Sequence, residues 1–213
     1  MHLVVGLGNP GRRFARTRHN AGFLVIDRLA QRWGAAVERN QFKALVDPAR
    51  IGSTPVVLCK PQTFMNLSGD AVASLKGYYK VDLEDIVVVH DDVDLSLGDV
   101  RLKKGGGHGG HNGLRDLQKK VGNGFARVRF GVSRPPEGWD TADYVLGKFT
   151  DAEASELDAS IERAADAVEA ALSEGLTAAM QHVNARSSGS GSPSGTGHSA
   201  RSTSGISAGP SRS

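Results

Sequence analysis

Leu3-Val4-Val5-Gly6-Leu7-Gly8-Asn9-Pro10-Gly11 opens a stretch that continues Arg12-Arg13-Phe14-Ala15-Arg16-Thr17-Arg18-His19-Asn20 and then Ala21-Gly22-Phe23-Leu24-Val25-Ile26-Asp27-Arg28-Leu29-Ala30-Gln31-Arg32-Trp33. The first five residues, 3–7, are a short β-rich apolar run. Residues 21–33 place Phe23, Ile26, Leu29 and Ala30 on one side at helical spacing. Between them lies a polar turn, so the stretch reads strand, loop, helix. The same alternation recurs downstream. Strand-like runs fall at 56–60, 86–90 and 126–132, and helical periodicity at 70–79 and 113–121. A long Ala-rich helix spans 151–172 and stops near Gly175, before a final short helix. Strands alternating with helices predict an α/β fold: a single domain with a mixed, largely parallel twisted sheet flanked by helices. Residues 100–104, after Gly98, read as an added antiparallel strand.

The chain has 213 residues, 39% apolar and 23% charged, which is enough for a sizeable core. From Arg186 onward it carries 11 Ser and 6 Gly in 28 residues. Residues 1–185 are therefore expected to fold and 186–213 to form a disordered tail. The net charge of +3 hides three regions. Residues 1–150 hold 22 Lys+Arg against 15 Asp+Glu, so +7; residues 151–185 hold one Arg against eight acids, so −7; the tail holds three Arg and no acid, so +3. This excludes a uniformly basic nucleic-acid coat and leaves room for one basic face. The acids of 151–172 recur among alanines and read as a solvated outer face. One cysteine, Cys59 in an apolar run, excludes an internal disulfide framework and reads as a buried thiol. No leader-like start and no apolar run of membrane-spanning length is present, so a cytoplasmic location is expected.

Gly6-Leu7-Gly8-Asn9-Pro10-Gly11 spells the dinucleotide-binding pattern G-x-G-x-x-G. That site needs a helix beginning inside the loop, so that its N-terminus faces the pyrophosphate. Here the helical pattern begins only around Asn20, and no acidic residue closes a second strand about 20 residues on, which argues against a nucleotide cofactor. The loop instead delivers Asn9 from a strand end, close to His19-Asn20 at the next helix start. Other polar groups follow strand ends, where open α/β sheets bind ligands: Phe64-Met65-Asn66 after 56–60, and His90-Asp91-Asp92-Val93-Asp94 after 86–90. Capping the following helix is the plain role for Asn66, and binding a substrate amide the sharper one. His90, Asp91, Asp94, His108 and His111 can be assembled into a metal site on paper, yet none falls on a metal-binding spacing. Residues 105–113, Gly-Gly-Gly-His-Gly-Gly-His-Asn-Gly, let backbone N–H groups approach a ligand closely. With Arg101, Lys103 and Lys104 beside it and Arg127 and Arg129 on the next strand, this loop suits a phosphate.

The ordered set of residues 5–11, Thr17-Arg18-His19-Asn20-Ala21-Gly22, Thr63-Phe64-Met65-Asn66-Leu67-Ser68-Gly69, His90-Asp91 and 105–113 closely resembles the bacterial peptidyl-tRNA hydrolases, over roughly residues 1–185. The resemblance implies a cofactor-free, metal-free, monomeric esterase. Its partner would be peptidyl-tRNA, cleaved at the ester between peptide and 3′ ribose, with no membrane involved. By motif position His19 matches the catalytic histidine, Asp91 the acid that supports it, and Asn9 the asparagine that separates blocked from free aminoacyl groups. Asn66 and Asn112 match substrate-contacting asparagines and Phe64 an aromatic wall. Phe14 stands where relatives carry Tyr, which removes a hydroxyl. Lys103 and Arg129 match a clamp on the tRNA phosphates. The chemistry is coherent: neutral imidazole can take a proton from water as it attacks the ester, a carboxylate can orient the ring, and a side-chain amide can donate to the developing oxyanion.

Overall fold

The alternating apolar runs meet in one seven-stranded sheet in the computed structural model, which describes residues 1–187. In chain order the elements are β1 (His2–Gly6), α1 (Ala21–Trp33), β2 (Arg39–Gln41), β3 (Ala44–Ile51), β4 (Thr54–Pro61), α2 (Ser68–Tyr79), β5 (Ile86–Asp92), β6 (Val100–Lys104), α3 (Asn112–Val121), β7 (Ala126–Gly131), α4 (Thr141–Leu146), α5 (Ala154–Ser173) and α6 (Leu176–Ser187). The strand order is β2-β3-β4-β1-β5-β7-β6. β4, β1, β5 and β7 run parallel in the centre, while β2, β3 and β6 add antiparallel edges. The sheet is thus mixed, and three of its four parallel strands, β1, β4 and β5, carry near-continuous apolar runs, as burial on both faces requires, while β7 alternates Arg127 and Arg129 with Val128 and Phe130.

Successive side chains point to opposite faces of a strand, so β1, β4 and β5 each feed two cores, while the apolar residues of β7 join one. Val4, Leu58, Val89 and Val128 face α1, α5 and α6. Leu3, Val5, Val57 and Val88 face the side covered by α2 and α3. Three layers result. Cys59 is wholly buried in the second core, and burial pushes its thiol pKa far up, away from any nucleophilic role. Among the described residues no helix is long and apolar enough to cross a membrane.

Several elements differ from the sequence expectation. The β2–β3 hairpin has no strong strand pattern, because β3 carries Asp47, Pro48 and Arg50. Pro48 is tolerated since β2 pairs only with Ala44–Val46, leaving β3 an open edge where Pro48 has no N–H to give. The short α4 is also illegible by periodicity; it is set by Asp140, whose Oδ1 accepts from the Ala142 and Asp143 N–H groups at 2.8 and 3.2 Å. α6 runs through Ser187, two residues past the expected boundary, and the rest of the expected tail, 188–213, lies outside the described residues. The acidic face of α5 is more than a solvated surface. Arg32 of α1 pairs with Glu162, Asp166 and Glu169, Arg28 pairs with Glu162, and Trp33 donates Nε1–H to Glu169 at 2.9 Å.

Two features bring the N-terminal loop to the sheet. A Cβ on Gly22 would lie 2.4 Å from the Leu7 nitrogen and 2.5 Å from the Val89 oxygen, so only glycine lets α1 start against the ends of β1 and β5. Arg18, before it, donates both Nη2 bonds to Glu153 at 2.9 Å and stacks on Tyr144 and Phe149. This buried fork fixes the 3-10 turn Arg18–Asn20 that carries His19.

Candidate active site

The parallel strands end in a cleft of about 1230 Å³, above the roughly 300–1,000 Å³ usual for small-molecule pockets. His19 and Asp91 meet at its floor. Asp91 closes the buried end of β5 and accepts from His19 Nδ1 with Oδ1 at 2.9 Å and Oδ2 at 3.0 Å. A second imidazole completes the group: His111 Nε2 lies 3.0 Å from Asp91 Oδ1. The tautomers follow from the partners. His111 is the N-cap of α3, where its Nδ1 accepts from the Leu114 N–H at 3.3 Å, so its proton is on Nε2 and is donated to Asp91. His19 likewise gives its Nδ1–H to Asp91, which leaves the Nε2 lone pair for the cleft that His19 lines.

Electrostatics agrees with this arrangement. Burial works to raise the Asp91 pKa, but the imidazoles of His19 and His111 hold it well below the usual carboxylate range. Burial lowers the His19 pKa, yet the charge and hydrogen bond of Asp91 outweigh it and leave the pKa above its ordinary value. His90 beneath them is different. Burial, then the neighbouring His111, pushes it down to about 3. Its Nδ1–H is held by the Asp91 carbonyl at 2.8 Å, so it stays neutral and braces the β5 end.

Of the metal grouping considered from sequence, only Asp91 and His111 come together. His90 is turned to the Asp91 backbone, Asp94 pairs with Arg134, and His108 Nδ1 accepts from the Gly110 N–H at 3.1 Å. His19 joins Asp91 and His111, with one ligand-type atom from each inside 4.8 Å. These atoms pair with one another, His19 Nδ1 and His111 Nε2 each donating to Asp91 Oδ1 at 2.9 and 3.0 Å. The G-x-G-x-x-G loop is equally unlike a dinucleotide site. Two 3-10 turns, Arg12–Phe14 and Arg18–Asn20, separate it from the start of α1.

The asparagines are held unequally. Asn9 Oδ1 accepts from the Met65 N–H at 2.8 Å, and its backbone N–H and C=O are both tied to the Asn20 side chain at 2.9 Å. Its amide therefore presents an NH₂ to the cleft. Asn112 Oδ1 accepts from Arg115 at 3.2 Å and leaves its own NH₂ in the same sense. Asn66 is exposed on the cleft wall and caps nothing: the N-terminus of α2 is held by Asp116 Oδ2, which accepts from the Gly69 N–H at 2.8 Å. Phe64 is 56% exposed beside it, and Phe14 lines the cleft under the Arg13 guanidinium, 4.5 Å from the ring centroid.

The cations divide too. Lys103 is exposed at the rim, and Arg129 lines the cleft while giving Nε–H to Asp92 at 2.7 Å. Arg127 is buried, and its guanidinium donates to the Gly106 and Gly107 carbonyls and to Asn123 Oδ1. It is a strut that shapes the glycine loop, not the phosphate ligand its position suggested. Sequence reasoning missed His111 as a partner of Asp91 and Asn20 as the brace of Asn9. The signal for His111 was its place two residues before the periodic stretch 113–121, the N-cap position of α3.

The peptidyl-tRNA hydrolase family model matches residues 3–190. A peptidyl-tRNA hydrolase of Anaeromyxobacter sp. (strain K) is 53% identical over 188 residues, covering 88% of this chain and 98% of its own length. One from Bacillus thuringiensis subsp. konkukian is 45% identical over 185 residues, 86% of this chain and 100% of its own. The crystal structure of peptidyl-tRNA hydrolase from Acinetobacter baumannii is similar in fold, with a TM-score of 0.82 at 39% identity over 87% of this chain and 95% of that one.

Proposed function

The chain belongs to the peptidyl-tRNA hydrolase family, a hydrolase of peptidyl-tRNA that serves translation, and from that premise we propose that His19 is the general base of its ester hydrolysis. His19 Nε2 takes a proton from a water molecule as that water attacks the ester carbonyl carbon. The imidazolium that forms is stabilised by Asp91, which holds Nδ1–H throughout, and His111 Nε2–H donates to Oδ1 of the same carboxylate. The proton then passes to the 3′ oxygen of the ribose as the carbon–oxygen bond breaks, giving free peptide acid and tRNA. No metal or cofactor enters these steps. The observation that carries the reading is the His19–Asp91 bond with Nε2 left toward the cleft.

Selectivity follows from donor polarity. Asn9 and Asn112 have their oxygens engaged and offer NH₂ groups. A peptide carbonyl next to the ester accepts from such donors. The ammonium of an unblocked aminoacyl group has only donors, and would leave the asparagine amides unmatched. Asn66 and Phe64 form the exposed wall along the peptide, Phe14 a further apolar contact, and Lys103 with Arg129 the clamp on tRNA phosphates. The chain acts as a monomer in the cytoplasm, where its substrate arises. Residues 1–187 form the catalytic domain and the Ser/Gly-rich remainder is dispensable for the reaction.

The test is incubation with N-acetyl-aminoacyl-tRNA and with unblocked aminoacyl-tRNA, with and without chelator. Cleavage of the blocked ester alone, unchanged by chelator, is expected. Binding without cleavage, or loss of activity in chelator, contradicts the proposal. Truncation after Ser187 should retain full turnover, and a large loss would give the remainder a role.

A further inference from the structure

We infer that the tip of the β2–β3 hairpin, together with the end of α2, is a second RNA-binding surface that takes the body of the tRNA away from the reacting ester. The inference rests on the peptidyl-tRNA reading and adds a contact to it.

Gln41 pairs with Ala44, so the hairpin loop is the two residues Phe42 and Lys43, with φ of 48° and 60°. Two left-handed residues in a two-residue loop are the pattern that Asn-Gly adopts readily and that residues with bulky side chains avoid. The chain nevertheless places a phenylalanine there and exposes it. Phe42 is 42% exposed and Tyr78 61%, with ring centroids 5.3 Å apart. Tyr79 lies edge-on to Tyr78 at 4.9 Å, and its hydroxyl is pinned between Arg39 Nη2 and Gln41 Oε1 at 2.7 and 2.9 Å. An outward, braced aromatic pair on a strained turn serves no core.

Its surroundings point to a polyanion. Arg39, Lys43, Lys76 and Lys80 stand on these elements, and none of them enters an ion pair within 4 Å among the described residues, although the charge of Lys43 reaches the exposed Asp70. The other face of the sheet is the reverse, with the arginines of α1 neutralised by the acids of α5. Cations interleaved with exposed aromatic rings are the chemistry that grips phosphates and stacks bases. The hairpin is tied to the segment that carries the cleft wall, since the Lys43 carbonyl accepts from the Gln62 N–H at 2.7 Å, two residues before Phe64. It lies at the opposite sheet edge from Lys103 on β6. Six strand spacings separate the edges, about 29 Å, a span that suits a folded RNA and exceeds one nucleotide.

The experiment compares two substrates: N-acetyl-aminoacyl-tRNA, and an N-acetyl-aminoacyl ester of the trinucleotide CCA, which lacks the tRNA body. Phe42→Ala and Tyr78→Ala should each raise KM for the full tRNA about tenfold, with kcat and the trinucleotide ester unaffected. The double change Phe42→Asn, Lys43→Gly separates binding from folding: it should raise Tm, because the turn is relieved, and still raise KM for the tRNA. An unchanged tRNA KM in these variants overturns the inference. So does an equal loss on both substrates, or a defect confined to trinucleotide esters of longer peptides, which would make this a peptide surface. Wild-type protein inert toward both esters would instead overturn the hydrolase mechanism, a result distinct from failure of the hairpin variants.

Discussion

The seam between α1 and α5 and the floor of the cleft are both networks of charged and ionisable groups, and they are built in opposite ways. In the seam, Arg28 and Arg32 meet Glu162, Asp166 and Glu169 at partly exposed positions. Each charge has an opposite partner, water screens them all, and the result orders two helices at small energetic gain. In the cleft, one buried carboxylate meets two imidazoles whose remaining nitrogens are assigned, one to the α3 backbone and one to open space. A saturated network holds structure; a network with one atom left over can move a proton.

Substitutions sharpen that contrast, and the largest effect should come from the left-over atom. His19→Ala should lower kcat by about 10³-fold, in the range general bases supply, with tRNA affinity retained in a binding titration. Near-normal turnover would place the base elsewhere. Asp91→Asn should follow at about 10²-fold, because an amide can present its NH₂ to Nδ1 and favour the wrong tautomer. Asn9→Ala removes one cleft donor and should narrow the preference for blocked over unblocked substrate about tenfold, the effect of a lost donor of roughly 1–3 kcal/mol. A preserved preference would assign selectivity to Asn112 or Asn66. Lys103→Ala and Arg129→Ala should weaken binding a few-fold and reduce the slope of log K against log salt by about one each. Arg32→Ala, in the seam, should cost about 1 kcal/mol or less in chemical denaturation and leave kcat/KM untouched. A loss of activity there would break the distinction between the two networks.

Much of this was legible in the residues and some was not. The central strands announced themselves because burial on both faces demands unbroken apolar runs, as in Ile86-Val87-Val88-Val89. The β2–β3 hairpin did not, since Pro48 and the charged residues of β3 are set by an open edge and its partner, not by local pattern. His19, Asp91 and the asparagines stood out because polar residues follow apolar strand ends. Their roles inside the site depend on neighbours distant in sequence. Asn9 is a donor only because Met65 occupies its oxygen, 56 residues away, and Arg127 is a strut only because the glycine loop folds back over it. Spacing cannot show which atom of a side chain is already taken.

Protonation distinguishes stability from activity at the same pair. The His19 pKa is raised above 6.5 in the fold, so its ion pair with Asp91 contributes fully below that pH and fades as pH rises through the raised value. The depressed Asp91 contributes above about 3.8 and is lost as pH falls below it. The proposed mechanism makes the opposite demand on His19, which must be neutral to accept a proton. The pH dependence of kcat/KM for N-acetyl-aminoacyl-tRNA, measured for the wild type and for Asp91→Asn, is therefore the most direct test of the His19–Asp91 mechanism. The wild type should show an ascending limb with its midpoint above pH 6.5. Asp91→Asn should show a lower plateau and a midpoint moved to lower pH, because burial then acts on His19 without the carboxylate. Coincident midpoints in the two proteins, or a wild-type limb below pH 6, would contradict it.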